Sequence, residues 1–134
     1  MKDLGMQRTV YAEMLKRTDR ELYNKCQELM DPRIKDWNMI EEAIETICET
    51  YPPTIENYTF IIAVVFYLFA EYKLHFENVR MESGSRIAIQ KVLGFANRET
   101  VNYYSSPIYS LYKNPRWAEK VNNTGEAVLL QLNN

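Results

Sequence analysis

The chain has 134 residues, of which 46% are hydrophobic and 25% are charged, and its formal net charge is −2 at pH 7. These values are typical of one globular domain with a sizeable core, and they exclude a disordered or strongly basic chain. Only 4 Gly and 5 Pro are present, which favours helices over a turn-rich β architecture.

No basic stretch followed by an apolar run opens the chain, so we expect no secretory signal and a cytoplasmic protein. The longest apolar run, Phe60–Ala70, is too short to span a bilayer, so no membrane partner is expected. Cys26 and Cys48 fall on apolar helical faces. We therefore expect buried free thiols in a reducing compartment.

The first predicted element is one long amphipathic helix over Gln7–Met30. Thr18 begins a sequence that resembles a capping box, so the alternative is a break near Thr18. Asp31-Pro32 ends this helix, because the residue before proline avoids the α region. Its apolar face is formed by Tyr11, Leu15, Leu22, Cys26 and Leu29.

A second helix is predicted over Asn38–Thr50, and Tyr51-Pro52-Pro53 ends it and marks the best internal boundary. The chain is therefore divided into an N-terminal helical hairpin, residues 1–51, and a region over residues 52–134 that we expect to form one compact unit with the hairpin. Another face of the second helix carries Glu41, Glu45 and Glu49. Without a Glu-x-x-His pair this stripe indicates a solvated face and no metal site, although the acidic half could meet a basic protein partner.

The third helix, roughly Ile55–Tyr72, is the hydrophobic centre of the sequence. Phe60–Ala70 contains no charged or strongly polar residue, and a helix that is apolar all round is buried on most sides. We therefore expect this helix to form the core of an all-α, compact multi-helix domain with about six helices.

The segment Lys73–Gly84 is mixed and is predicted to be mostly loop. It contains His75, the only histidine, which is expected at the surface. A single histidine argues against histidine-based metal sites and against Ser/His or Cys/His catalysis. We find no phosphate loop or metal cluster in the sequence, so neither an enzyme nor a cofactor is expected.

The residues from Ser85 to Tyr104 have the pattern of two short helices joined by a turn. Gly94 follows the first helix where a left-handed residue would end it, and Asn97 is a good N-cap for the second. Two helices joined by a short turn containing Gly form a helix-turn-helix. The alternative is an αα-corner that uses the same residues for packing alone. The first helix has its apolar face at Ile87, Ile89, Val92 and Leu93, and the second at Val101 and Tyr104.

After this motif, Ser106-Pro107 and Asn114-Pro115 each predict a helix start, with a polar N-cap followed by proline at the first helical position. The second helix of the motif should therefore end by about Ser106. A helix is predicted over Arg116–Asn122, and Thr124-Gly125 is expected to break it before a last turn or two over Glu126–Leu132.

Positive charge is concentrated around the motif. Residues 1–72 carry 8 Lys and Arg against 13 Asp and Glu, whereas residues 73–120 carry 8 against 4. A local excess of positive charge is what a surface that faces DNA needs, and here the excess is small. The alternative is that so small an excess arises by chance.

The run from Leu93 to Val101, Leu-Gly-Phe-Ala-Asn-Arg-Glu-Thr-Val, resembles the signature of the C-terminal DNA-binding domain of the bacterial replication initiator DnaA. Gly94, Thr100 and Val101 match that signature identically, and Asn97 stands where the family has Asp. Upstream, the run Tyr67–Glu71 is similar to a helix of the same domain. The resemblance covers about residues 58–121.

The chain also departs from the family. Ala70 and Ala96 stand where the family has arginine, and Ser106 and Pro107 occupy the positions of its late basic pair. The resemblance implies a helix-turn-helix protein, an accessory replication or mobile-element protein, that binds duplex DNA weakly. The alternative is a helical protein-protein interaction or assembly module with no nucleic-acid role.

The residues expected to contact DNA are Arg86, Lys91, Asn97, Arg98, Glu99, Thr100 and Asn102. Asn97 and Thr100 carry contact positions of the family by resemblance. With Val101 facing inward, Arg98, Glu99 and Asn102 should point outward, where Arg98 suits guanine and Asn102 suits adenine. Arg86 and Lys91, one helix earlier, are better placed for phosphates. In the alternative, Asn97 only caps its helix and Arg98 is a solvated charge.

Overall fold

The computed structural model describes residues 4–77, 79–81 and 84–133, with side chains from residue 9 onwards, and all regular structure in these ranges is helical. The expected all-α class is confirmed. The helices are α1 Leu4–Thr18, α2 Arg20–Met30, α3 Ile40–Cys48 with a 3₁₀ turn Trp37–Met39 before it, α4 Tyr58–Phe69, α5 Tyr72–His75, α6 Ser85–Leu93, α7 Arg98–Ser105, α8 Ile108–Tyr112 and α9 Pro115–Leu132.

The chain forms two compact units, which divide between Asp31 and Pro32. The first unit holds α1 and α2, which contact each other. The single long helix expected here is interrupted at Asp19, whose carboxylate accepts a hydrogen bond from the backbone N–H of Leu22 at 3.0 Å. The N-cap is therefore Asp19 and not Thr18. No side chain of residues 9–31 is fully buried, so this unit has little core of its own.

The second unit is built around α4. Every residue of Phe60–Ala70 is buried, which confirms the expected core helix. α4 contacts α3, α5, α7, α8 and α9, so its apolar side chains are covered from several directions. No helix within the described residues is long and apolar enough to cross a membrane.

Local sequence explains several boundaries of the second unit. Asn114 accepts hydrogen bonds from the backbone N–H groups of Arg116 and Trp117, with Pro115 opening α9 as expected. The expected cap of α8 is wrong, because Pro107 and not Ser106 stands at the N-cap and no side chain caps this helix. The two cysteines are free thiols, as expected, but they are half-buried where full burial was expected. They are Cys26 in the first unit and Cys48 at the end of α3.

The expected break at Thr124-Gly125 is wrong. α9 runs without interruption from Pro115 to Leu132, although glycine costs a helix about 1 kcal/mol relative to alanine. Gly125 is buried against Tyr67 of α4, and a Cβ atom at this position would lie 2.6 Å from Tyr67 Cε1. Glycine is therefore present because it lets α9 approach the tyrosine ring.

Tyr67 also connects three parts of the second unit. Its hydroxyl donates to Glu126 Oε1 at 2.7 Å, and the guanidinium carbon of Arg33 lies 3.7 Å from its ring centroid. Arg33 in turn donates to Tyr67 O at 3.1 Å and to Glu71 at 2.8 Å. Burial opposes the charge of Arg33, but the hydrogen bond and charge of Glu71 outweigh it and raise the pKa of the guanidinium.

This environment predicts a stability that depends on pH. Burial, together with the hydrogen bond to Glu126, raises the pKa of Tyr67 from 10.0 to about 12. Between pH 10.0 and about pH 12 the folded state keeps the hydroxyl proton of Tyr67, whereas the unfolded state loses it, so the free energy of unfolding falls as pH rises. Urea unfolding below pH 10 and near pH 12 should show a smaller fall for Tyr67→Phe than for the wild type. Tyr103→Phe, at a tyrosine that is 72% exposed, should fall like the wild type. Equal falls in all three proteins would contradict the assignment.

Candidate nucleic-acid interface

The turn between α6 and α7 is fixed by two capping residues. Gly94 ends α6 with φ 74°, and its N–H donates back to the carbonyls of Gln90 and Lys91. Asn97 then begins α7, since its Oδ1 accepts from the backbone N–H and the hydroxyl of Thr100, each at 3.2 Å. The two predicted helices and the turn between them are therefore present, with both caps where the sequence placed them.

α7 is held from behind by the core of the second unit. Val101 is 1% exposed, and the hydroxyl of Thr59 in α4 donates to the carbonyl of Tyr104 at 2.8 Å. The ring of Tyr58 lies 4.8 Å from that of Phe95 and 5.0 Å from that of Tyr104. Sequence reasoning missed this aromatic cluster, because Tyr58 is distant along the chain. It fixes the position of α7 against α4.

The outward face of α7 carries Arg98, Glu99 and Asn102, all exposed as predicted. Tyr103, which was not predicted to contact DNA, lies on the same side and is 72% exposed. Arg98 Nε is 3.9 Å from Glu99 Oε1. Because both side chains are well exposed, this ion pair contributes little and leaves the guanidinium free to exchange partners.

Asn97 and Thr100 have a different environment. Asn97 is exposed, but its side-chain oxygen, Oδ1, accepts hydrogen bonds from the backbone N–H and the hydroxyl of Thr100. Thr100 is half-buried. These two side chains hold the start of α7, and the amide nitrogen of Asn97 is the group left for a ligand.

The two α6 cations lie on different sides of the helix. Arg86 and Lys91 are five positions apart, which is about 140° of rotation around an α-helix. Lys91 lines a groove of about 300 Å³ together with Glu41 and Glu45 of α3. Arg86 is half-buried, and its charge acts on Lys73. The structure therefore does not bring Arg86 and Lys91 together, and carboxylates offset the charge of Lys91.

A polar cleft beside α7 was not predicted from the sequence. Its volume is about 230 Å³, and we call it the Lys73 cleft. It is lined by Phe66, Lys73, Glu77, Asn102, Ser105, Ser106 and Tyr109. Lys73 and Glu77 lie in a segment that was expected to be mostly loop, and Lys73 belongs to α5. No local sequence signal could have placed them against α7.

Within residues 4–77, 79–81 and 84–133, no three His, Cys, Asp or Glu side chains are grouped as metal ligands would be. His75 is exposed at the end of α5, and its ring lies 5.4 Å from that of Tyr112. Comparison with known proteins gives no match to a family model, a curated protein or a solved structure.

Proposed function

We propose that the protein binds duplex DNA, with α7 as the helix that enters the major groove. The observation that carries this proposal is the contrast between the two sides of α7. Arg98, Glu99 and Asn102 are exposed, whereas Val101 is fixed in the core. A helix supported from behind and bare on its outer face suits the recognition helix of a helix-turn-helix. Arg98 can make two hydrogen bonds to guanine, and Asn102 can make two to adenine.

Binding should be weak and largely electrostatic. Arg98 is the only basic residue of α7, and Glu99 beside it carries the opposite charge. Affinity then depends on phosphate contacts, and the slope of log K against log salt is about −0.9 for each phosphate neutralised. The resemblance to the DnaA domain supports a cytoplasmic role as an accessory replication or mobile-element protein.

The test is fluorescence anisotropy on a duplex selected from a random pool and on unrelated duplexes, across a range of salt concentrations. Arg98→Ala should cost about 1–3 kcal/mol on the selected duplex and relax its sequence preference. Arg86→Ala should weaken all duplexes alike, because a phosphate contact carries no sequence information. Lys91→Ala should have the same effect to a smaller extent, since Glu41 and Glu45 line its groove.

Lys25→Ala is the matched control, because Lys25 is exposed on α2 in the first unit. It removes the same charge from a unit that does not contain the helix-turn-helix, and it should leave affinity unchanged. If Arg98→Ala and Asn102→Ala both bind every duplex as the wild type does, α7 is not the recognition helix.

The second candidate is a protein-interaction module, and the first unit favours it. Val10, Tyr11 and Met14 of α1 are 52%, 67% and 53% exposed, and apolar side chains grouped at helical spacing are typical of a surface that meets another protein. If the wild type binds no duplex DNA even at low salt, this candidate is favoured.

A further inference from the structure

The Lys73 cleft has an excess of positive charge. Lys73 lies inside it and Arg86 is close enough to act on Lys73 electrostatically. Glu77 is the one acidic side chain among the lining residues. The charges around the cleft therefore favour an anion.

The hydrogen-bond donors of the cleft are also suited to an anion. Two of its hydroxyls, on Ser105 and Ser106, already donate to the carbonyls of Asn102 and Tyr103, so the donors for an anion come from other side chains. Lys73 Nζ donates to Val79 O at 2.7 Å, and an ammonium has two further N–H groups to offer. The side-chain amide of Asn102 makes no hydrogen bond within the described part of the chain, and it lies at the cleft wall.

The charge of Lys73 is only partly compensated by the protein, since Nζ lies 5.9 Å from the ring centroid of Phe66 and donates to Val79 O. Burial, and then the positive charge of Arg86, lowers the pKa of Lys73. Both effects disfavour the charged ammonium, and a bound anion would offset both. The volume of about 230 Å³ is several times the roughly 30 Å³ that one water occupies in the liquid, so the cleft has room for a tetrahedral oxyanion and its waters.

The position of the cleft connects it to α7. Asn102 lies one turn after Arg98, so the two side chains share one edge of the helix. We propose, on the basis of the proposed function, that the Lys73 cleft seats a phosphate group, which in the DNA complex is a backbone phosphate beside the groove that α7 enters. Lys73 donates to the phosphate oxygens and Arg86 adds to the attractive field, whereas the side-chain amide of Asn102 at the cleft wall makes the base contact.

The first arm of the test uses inorganic phosphate. NMR spectra of the full chain are recorded as phosphate replaces chloride at constant ionic strength, and the signals of Lys73 and of the Asn102 side-chain amide are followed. These signals should shift and saturate in the wild type. Lys73→Gln keeps a donor for Val79 O but removes the charge, so phosphate binding should weaken. Glu77→Gln removes the repelling carboxylate, so binding should tighten.

The second arm measures duplex DNA binding by anisotropy with the same variants. Lys73→Gln should make the slope of log K against log salt less steep by about 0.9, as expected for one lost phosphate contact. Glu77→Gln should raise the affinity. Lys25→Gln, in the first unit, is the charge-matched control and should change neither phosphate nor DNA binding. A purely structural role of Lys73 would not produce opposite responses at Lys73 and Glu77.

The two arms separate the cleft from the proposed function. If the wild type binds no duplex but phosphate titrates with opposite responses in the two variants, the cleft serves a free phosphate compound and the DNA proposal fails. If phosphate binds but neither Lys73→Gln nor Glu77→Gln changes the affinity for DNA, the assignment to a backbone phosphate is overturned. If phosphate moves neither signal and both variants bind DNA like the control, the cleft is not a phosphate site.

Discussion

Replacing Phe66 with alanine is expected to lower the free energy of unfolding of the second unit by about 3–5 kcal/mol. The Phe66 side chain is 2% exposed, in the middle of α4. Truncation removes buried apolar surface and leaves a cavity among helices that also pack on other parts of α4, so the site can collapse only partly. Leu68→Ala, at a residue that is 0% exposed, should cost about 2–5 kcal/mol for the same reason.

The measurement is urea unfolding followed by tryptophan fluorescence. Trp37 and Trp117 both lie in the second unit, so the signal reports that unit even if the first one unfolds separately. Ile55→Ala is the control, because Ile55 is an apolar residue that is 76% exposed just before α4. It should change stability by less than about 0.5 kcal/mol. If Phe66→Ala and Leu68→Ala are as mild as this control, α4 is not the core.

Gly125→Ala is expected to destabilise by about 1–3 kcal/mol or more, as overpacking of a core does. The added methyl group would meet the ring of Tyr67, which is itself buried. In an ordinary helix interior the same substitution stabilises by about 0.5–1 kcal/mol. The sign of the effect therefore distinguishes a close approach between α4 and α9 from a glycine with no packing role.

Asn123→Ala, at an exposed position of α9, serves as the control and should be close to neutral. The double variant Gly125→Ala with Tyr67→Leu should lose less stability than the two single changes add up to, because the smaller side chain makes room for the methyl group. Additive losses, or a stabilising Gly125→Ala, would mean that α9 does not depend on this contact.

The sequence determined the features that depend on neighbours along the chain. The turn at Gly94 and the cap at Asn97 depend on the intrinsic freedom of glycine and on a hydrogen bond to Thr100, three residues away. The start of α9 at Asn114 follows the same local rule. The burial of α4 was equally predictable, because an apolar run without polar residues can only be stable inside. Periodicity also placed Arg98 and Asn102 outward by fixing Val101 inward.

Only the tertiary structure decided features that join distant segments. Ile87, expected on the apolar face of α6, is 42% exposed, whereas Ile89 is fully buried, because the packing of α6 against α3 and α7 sets which face is inside. Gly125 was expected to end a helix, yet its contact with Tyr67 keeps it within α9. The Lys73 cleft joins α5 to α7 and α8. Propensity and spacing describe a residue's own neighbours, whereas these features depend on which side chains the packed helices bring together.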